Sequence, residues 1–214
     1  MNAKRRLRVA VLLSGSGTSL ENLFETIDRG ELEAEIGVVI ASKAKAFGLE
    51  RAKRRGVPAL AVPRSEHADT ASFNDALHQA LDEYDVDLVA LLGFLSLFEL
   101  RGKYEGRVIN VHPALIPAFC GKGFYGNRVH EAVLASGVKL SGATVHFVNE
   151  AYDQGPILVQ EAVPVREDDD VESLGQRGRE AERRLVPRAI GWIAAGRVRI
   201  EGARTRIAPP DNTA

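Results

Sequence analysis

Apolar runs that suit buried strands alternate with amphipathic segments closed by glycine. This alternation limits the fold more than any other feature of the chain. The runs are LRVAVLLS (7–14), AEIGVVIAS (34–42), PALAVP (58–63) and VDLVALLGF (86–94). Between them, SLENLFETIDRG (19–30) repeats Leu20, Leu23, Phe24 and Ile27 at helical spacing and ends on Gly30. AFGLERAKRRG (46–56) is amphipathic and ends on Gly56, and ASFNDALHQALDEY (71–84) reads as a third helix. Strands without a polar face are buried on both sides, as parallel strands under crossover helices are. The pattern therefore predicts an α/β, doubly wound, mostly parallel sheet.

The second half continues with a strand at RVINVH (107–112) and a helix at NRVHEAVLASG (127–137). SGATVHFVNE (141–150) and PILVQEAVPV (156–165) alternate apolar and polar residues, which predicts an antiparallel edge to the sheet. A long helix is expected over 171–195 and a short strand at VRIEG (198–202). The expected organisation is a single domain over 1–203. The Pro-rich, polar RTRIAPPDNTA (204–214) is expected to be a flexible tail.

The charge balance narrows the partners. Lys and Arg number 28 and Asp and Glu 29, so no basic excess recommends nucleic acid or an anionic membrane. The basic start MNAKRRLRV precedes an apolar run, Val9–Leu13, too short for a secretory signal, and no segment approaches a membrane span. Cys120 is the one cysteine; it excludes an intrachain disulfide and a thiolate metal site, and fits a reducing cytoplasm. No metal site is expected from the scattered histidines.

Two loops draw attention. Ser14-Gly15-Ser16-Gly17-Thr18-Ser19 joins the first strand to the first helix. Glycines allow close backbone approach and the helix start offers free N–H groups, so the loop can cradle a phosphate. It lacks the third glycine of a dinucleotide fingerprint and the lysine of a P-loop. The plainer alternative is a tight turn with a Ser or Thr N-cap.

RVINVHPALIP (107–117) is the other. Alternation along a strand puts Asn110 and His112 on one face, and Pro113 keeps His112 extended. An amide donor beside a titratable imidazole can hold an oxyanion and move a proton in acyl transfer. The alternative is structural: His112 bonding a backbone carbonyl, Asn110 satisfied in the core. Asp153, in NEAYDQGPIL, could raise the His112 pKa if the two meet, or bond its own turn.

The chain resembles the phosphoribosylglycinamide formyltransferase family, folate-dependent enzymes of purine synthesis, from about residue 7 to 201. The matching segments are VLLSGSGTSLENL, ASKAKAFGLERAKRRGVP, DLVALLGFLS, RVINVHPALIP, GATVHFVNEAYDQGPIL and GREAERRLVPRAIGWIAAGRV. The resemblance implies a Rossmann-like formyltransferase fold. It implies transfer of the formyl group of 10-formyltetrahydrofolate to the amine of 5'-phosphoribosylglycinamide by direct amine attack. Asn110 and protonated His112 would stabilise the oxyanion, and Asp153 would raise the His112 pKa. Gly15, Ser16, Gly17, Thr18 and Ser19 would hold the ribose 5-phosphate, and Glu182 the ribose hydroxyls. Leu95, Ser96, Leu97 and Phe98 match the segment that contacts the pterin, largely through backbone groups. Asn149, Glu150, Ala151, Tyr152 and Asp153 would wrap its other side, with Asn110. Thr144 and His146 share a strand face near the site, or are strand packing.

Some positions depart from the family pattern. Ser19 stands where Asn is frequent, Leu95-Ser96 where Met-Arg is, Thr70 where some members place a folate-contacting Arg, and Arg183 where His often follows the late Glu. FCGKGFYGN (119–127) is longer than is usual, and its Lys122 could restore charge near the folate. Small-molecule substrates, no nucleic acid and no membrane are expected, in a monomer or homodimer. Rival readings are a formyltetrahydrofolate hydrolase, a methionyl-tRNA or sugar-nucleotide formyltransferase, and a non-catalytic phosphate- or folate-binding protein. About twenty residues follow the last helix, too few for the basic domain a tRNA enzyme needs.

Overall fold

The computed structural model describes residues 5–210. Its elements are β1 (Leu7–Leu13), α1 (Thr18–Asp28), β2 (Ala34–Ala41), α2 (Phe47–Arg54), β3 (Ala59–Ala61), α3 (Thr70–Asp82), β4 (Leu88–Leu91), β5 (Val108–His112), α4 (Asn127–Ser136), β6 (Leu140–Phe147), β7 (Ile157–Pro164), α5 (Val171–Ala194), β8 (Val198–Glu201) and β9 (Arg204–Ile207). One seven-stranded sheet runs in the order β3-β2-β1-β4-β5-β6-β7. The mostly parallel, doubly wound sheet with an antiparallel edge is thus the one that the hydrophobic pattern predicts. The chain divides into two compact units, Met1–Asn110 and Val111–Ala214, with the division inside β5.

In the first unit β1 pairs in parallel with β2 and β4, β2 with β3, and β4 with β5. Val9 to Leu12 and Val38 to Ala41 have no exposed surface, which is why these strands carry no polar alternation. Leu20, Leu23 and Phe24 of α1 and Phe73 and Leu77 of α3 are buried, as their helical spacing requires. α3 starts with a capping box of Asp69 and Ser72.

In the second unit β6 and β7 pair antiparallel, with Gly142 opposite Ala162. A Cβ on Gly142 would lie 2.1 Å from the Glu161 carbonyl oxygen. α5 is a single helix through Pro187, and Asp170 with Ser173 forms its capping box. The preceding turn is fixed by Asp169, which accepts Arg177 on both oxygens at 2.7 and 2.8 Å and the Arg166 N–H at 2.7 Å.

Three boundaries differ from expectation. β4 stops at Leu91 rather than residue 94, because Gly93 turns the chain with φ +68°. The strand expected over 141–150 ends at Phe147, where Asn149 Oδ1 instead accepts the Ala151 N–H at 3.1 Å in a local turn. Arg204–Ile207, expected to begin a flexible tail, is a strand paired with β8 across Glu201 and Arg204. Its Thr205 hydroxyl donates to the Ile157 carbonyl at 2.8 Å. Residues 211–214 of that expected tail lie outside the described residues.

Candidate active site

In the first unit, the loops after β1, β2 and β4 are tied together where ligands bind on such sheets, past the strands' carboxyl ends. The Ser14 hydroxyl lies 2.6 Å from that of Ser42 and accepts the Leu95 N–H at 2.9 Å. The N-cap of α1 is Gly17, at φ +71° and without a side-chain cap, so the Ser/Thr cap weighed for this loop does not form. A residue with a Cβ at 17 would meet the Cα of Gly48 at 2.7 Å. No N–H of Gly15, Ser16, Gly17, Thr18 or Ser19 donates to another described group.

The folate segment expected at 95–98 is mixed in character. Leu95 is about half exposed, whereas Phe98 is a core residue stacked on His78 at 5.3 Å and edge-on to Tyr104 at 5.5 Å. Only its backbone is available to a ligand. The Leu97 carbonyl already accepts from Asn74 Nδ2 at 3.1 Å.

In the second unit three titratable groups meet. His112 ends β5, two residues after Asn110 and on the same side of the strand. Its Nδ1 lies 3.6 Å from Asp153 Oδ2, and its Nε2 donates to the Phe119 carbonyl at 2.8 Å. His146 Nε2 lies 3.5 Å from Asp153 Oδ1, while its Nδ1 donates to the Phe147 carbonyl at 2.9 Å. Each ring thus spends one nitrogen on a carbonyl and turns the other toward the same carboxylate. A carboxylate only accepts, so any bond it makes with either ring uses a proton on the nitrogen that faces it. The Gly121 N–H completes the Asp153 shell at 2.9 Å. Asp153 holds this position at φ +56°.

Burial is the larger influence on His112 and holds its pKa below the usual histidine range. Asp153 and the Phe119 carbonyl push the other way, with the sign expected for a neighbouring carboxylate. Asp153 therefore acts upward on His112, as expected of it, but does not overcome the loss of solvent. Burial pushes Asp153 up as well, yet His146, His112 and the Gly121 N–H together hold it below its ordinary value.

Thr144 resolves toward structure. Its hydroxyl donates to the Ala114 carbonyl at 2.7 Å and accepts the Ile116 N–H at 3.2 Å and Gln160 Nε2 at 3.0 Å. It pins the proline segment after β5. His146, by contrast, joins Asp153; nothing in the sequence but its shared strand face with Thr144 signalled this. Gly155, two residues beyond Asp153, has no room for a side chain, since a Cβ would fall 1.8 Å from the Phe147 carbonyl oxygen. Gly155→Ala is expected to cost about 2 kcal/mol of stability and to displace Asp153. Urea unfolding together with turnover of the variant checks this, and a variant with unchanged turnover would contradict it.

Glu182, on α5, is largely enclosed. Burial raises its pKa to about 7 against the opposing pull of Arg179. Of the 149–153 loop, Tyr152 is exposed and Asn149 braces the backbone. In the 119–127 stretch, the Cys120 thiol donates to the Pro117 carbonyl at 3.3 Å. Among the described residues no group of three or more His, Cys, Asp and Glu could hold a metal, and no helix is long and apolar enough to cross a membrane.

Residues 7–190 match the family model described as formyl transferase. The chain belongs to the formyl transferase family. Its relatives in this family include phosphoribosylglycinamide formyltransferase of Haemophilus influenzae, 34% identical over 196 residues that cover 91% of this chain and 90% of that protein. The crystal structure of glycinamide ribonucleotide transformylase 1 from Symbiobacterium toebii superposes with a TM-score of 0.90 at 41% identity, over 97% of this chain and 96% of that one. The trifunctional purine biosynthetic protein adenosine-3 of Gallus gallus is 39% identical over 197 residues, which are 91% of this chain and 19% of that protein. This formyl transferase chain therefore spans about a fifth of the length of such trifunctional relatives.

Proposed function

We propose that the chain transfers the formyl group of 10-formyltetrahydrofolate to the amine of 5'-phosphoribosylglycinamide. The observation that carries this reading is His112, with Nδ1 turned to a buried carboxylate and Nε2 to an oxygen acceptor. The Phe119 carbonyl marks the direction in which Nε2 donates; a formyl oxygen becoming an oxyanion would accept the same bond. Asn110 would add an amide donor from the same side of β5. The attacking amine must lose one proton and the leaving folate nitrogen must gain one. An imidazolium at His112 can supply the second and, once neutral, receive the first. Burial disfavours that imidazolium in the free protein, and a developing oxyanion would favour it again. Asp153 would hold the ring's orientation and balance its charge.

Gly15 to Ser19 would take the ribonucleotide's 5-phosphate on unpaired N–H groups. Glu182 would accept from the ribose hydroxyls. Leu95 to Phe98, through backbone groups, and the Asn149–Asp153 loop would contact the folate.

Incubation with 10-formyltetrahydrofolate, with and without the ribonucleotide, tests this by the absorbance of tetrahydrofolate. Release only with the ribonucleotide is the expected result. Equal release without it would point to a hydrolase, and no release in either case to a binding protein.

A further inference from the structure

The AFGLERA helix, α2, has no place in the roles above, yet its Gly48 and Arg51 are spaced to share a helix face. That face holds the glycine-rich loop. The Gly48 N–H donates to the Gly15 carbonyl at 3.1 Å, and Arg51 Nε donates to the Ser16 carbonyl at 2.9 Å. The Gly17 carbonyl accepts the Glu21 N–H at 3.0 Å as the first bond of α1. All three loop carbonyls are thus drawn back onto helices. Close packing enforces the fit, since a Cβ on Gly48 would lie 2.5 Å from the Leu13 side chain. Arg51 also lies over the Phe47 ring, 5.1 Å from its centroid, which keeps the guanidinium from swinging away.

Glu21 makes the charge problem explicit. It sits in the first turn of α1, where a carboxylate suits the helix dipole but repels an incoming dianion. Arg51 Nη1 pairs with its Oε2 at 2.8 Å and Arg55 Nη2 with its Oε1 at 3.1 Å.

We infer that Arg51 is a positioning residue for the ribonucleotide phosphate, a role that rests on the phosphate reading proposed above. It holds the Ser16 carbonyl away from the anion and cancels Glu21, so the loop N–H groups meet a dianion unopposed. Lysine would do both less well, because its ammonium is a point charge without the planar fork that reaches a carbonyl and a carboxylate together.

The test compares Arg51→Gln, Arg51→Lys and the pair Arg51→Gln with Glu21→Gln in steady-state kinetics. Binding of ribose 5-phosphate by calorimetry is measured alongside. Arg51→Gln is expected to raise KM for the ribonucleotide and Kd for ribose 5-phosphate by about tenfold, the scale of one charge-assisted contact. The folate KM and kcat should stay within about twofold. Arg51→Lys and the double variant should each recover part of the loss. Unchanged ribose 5-phosphate binding in a folded Arg51→Gln protein would overturn the inference, whatever the formyl acceptor is. So would equal changes in both substrates' KM and in kcat, the mark of general loosening. A parent protein that binds ribose 5-phosphate but shows no ribonucleotide-dependent turnover would refute the proposed acceptor and leave Arg51 testable by binding. A parent that binds neither would overturn both.

Discussion

His112→Gln is expected to lower kcat for formyl transfer by about a thousandfold, with folate and ribonucleotide KM little changed. The ring supplies an Nε2 donor, a titratable proton and a fixed orientation, and glutamine retains at most a weak donor. Asp153→Asn separates these functions. An Asn amide can donate to His112 Nδ1, leaving Nε2 as a donor but removing the negative charge beside an imidazolium. Its kcat should fall by about a hundredfold or more, and the double variant should be scarcely worse than His112→Gln. Additive losses would show that the two side chains act separately, against their 3.6 Å approach. Neither outcome depends on stability, which circular dichroism and a thermal melt of each variant would establish.

Much of the fold was legible because parallel strands buried on both faces leave an unmistakable apolar signature. Asn110 and His112 were legible for a local reason: two residues apart on one strand, they share a side. Asp153 could be offered as their partner from sequence, but only the resemblance chose that role over a residue of its own turn. Its approach depends on an antiparallel turn, on φ +56° at Asp153 itself, and on the tight seat of Gly155, none of which spacing reveals. The net direction of the His112 shift was not legible for a related reason. The carboxylate can be guessed from sequence, whereas the depth of burial that outweighs it belongs to tertiary structure. Strand β9 was not legible because Arg204 and Arg206 interrupt any apolar run and leave Ile207 alone to signal it. Its pairing uses backbone bonds and charged neighbours such as Arg206 Nε on Glu201 Oε2 at 2.5 Å.

Glu182→Gln should change stability and ribonucleotide binding in opposite senses. The folded-state pKa of Glu182 is about 7, above its ordinary 4.5, because burial penalises the carboxylate. The folded protein therefore binds this proton more tightly than the unfolded chain does. Its contribution to stability is fully present below pH 4.5 and is lost as pH rises through 7. From 4.5 to about 7 that loss amounts to at most about 3 kcal/mol. Glutamine cannot titrate, so urea unfolding at pH 5, 7 and 8.5 should show a parent that weakens across this range and a variant that does not. A parent and variant with parallel profiles would show that the glutamate carries no such burden. On the proposed role, the ionised form would be the useful one for the ribonucleotide, since a carboxylate could accept from both ribose hydroxyls. The parent's ribonucleotide KM should accordingly fall as pH rises through 7, and binding near pH 6.5 should release a proton detectable by calorimetry in buffers of different ionisation enthalpy. In Glu182→Gln the KM should be about tenfold higher and flat with pH. Proton release that persists in the variant would move the titration to another group, with His112 the first to examine. On this account a partly desolvated carboxyl that titrates near pH 7 would serve the diol at a cost to stability in the same pH range where binding needs its charge.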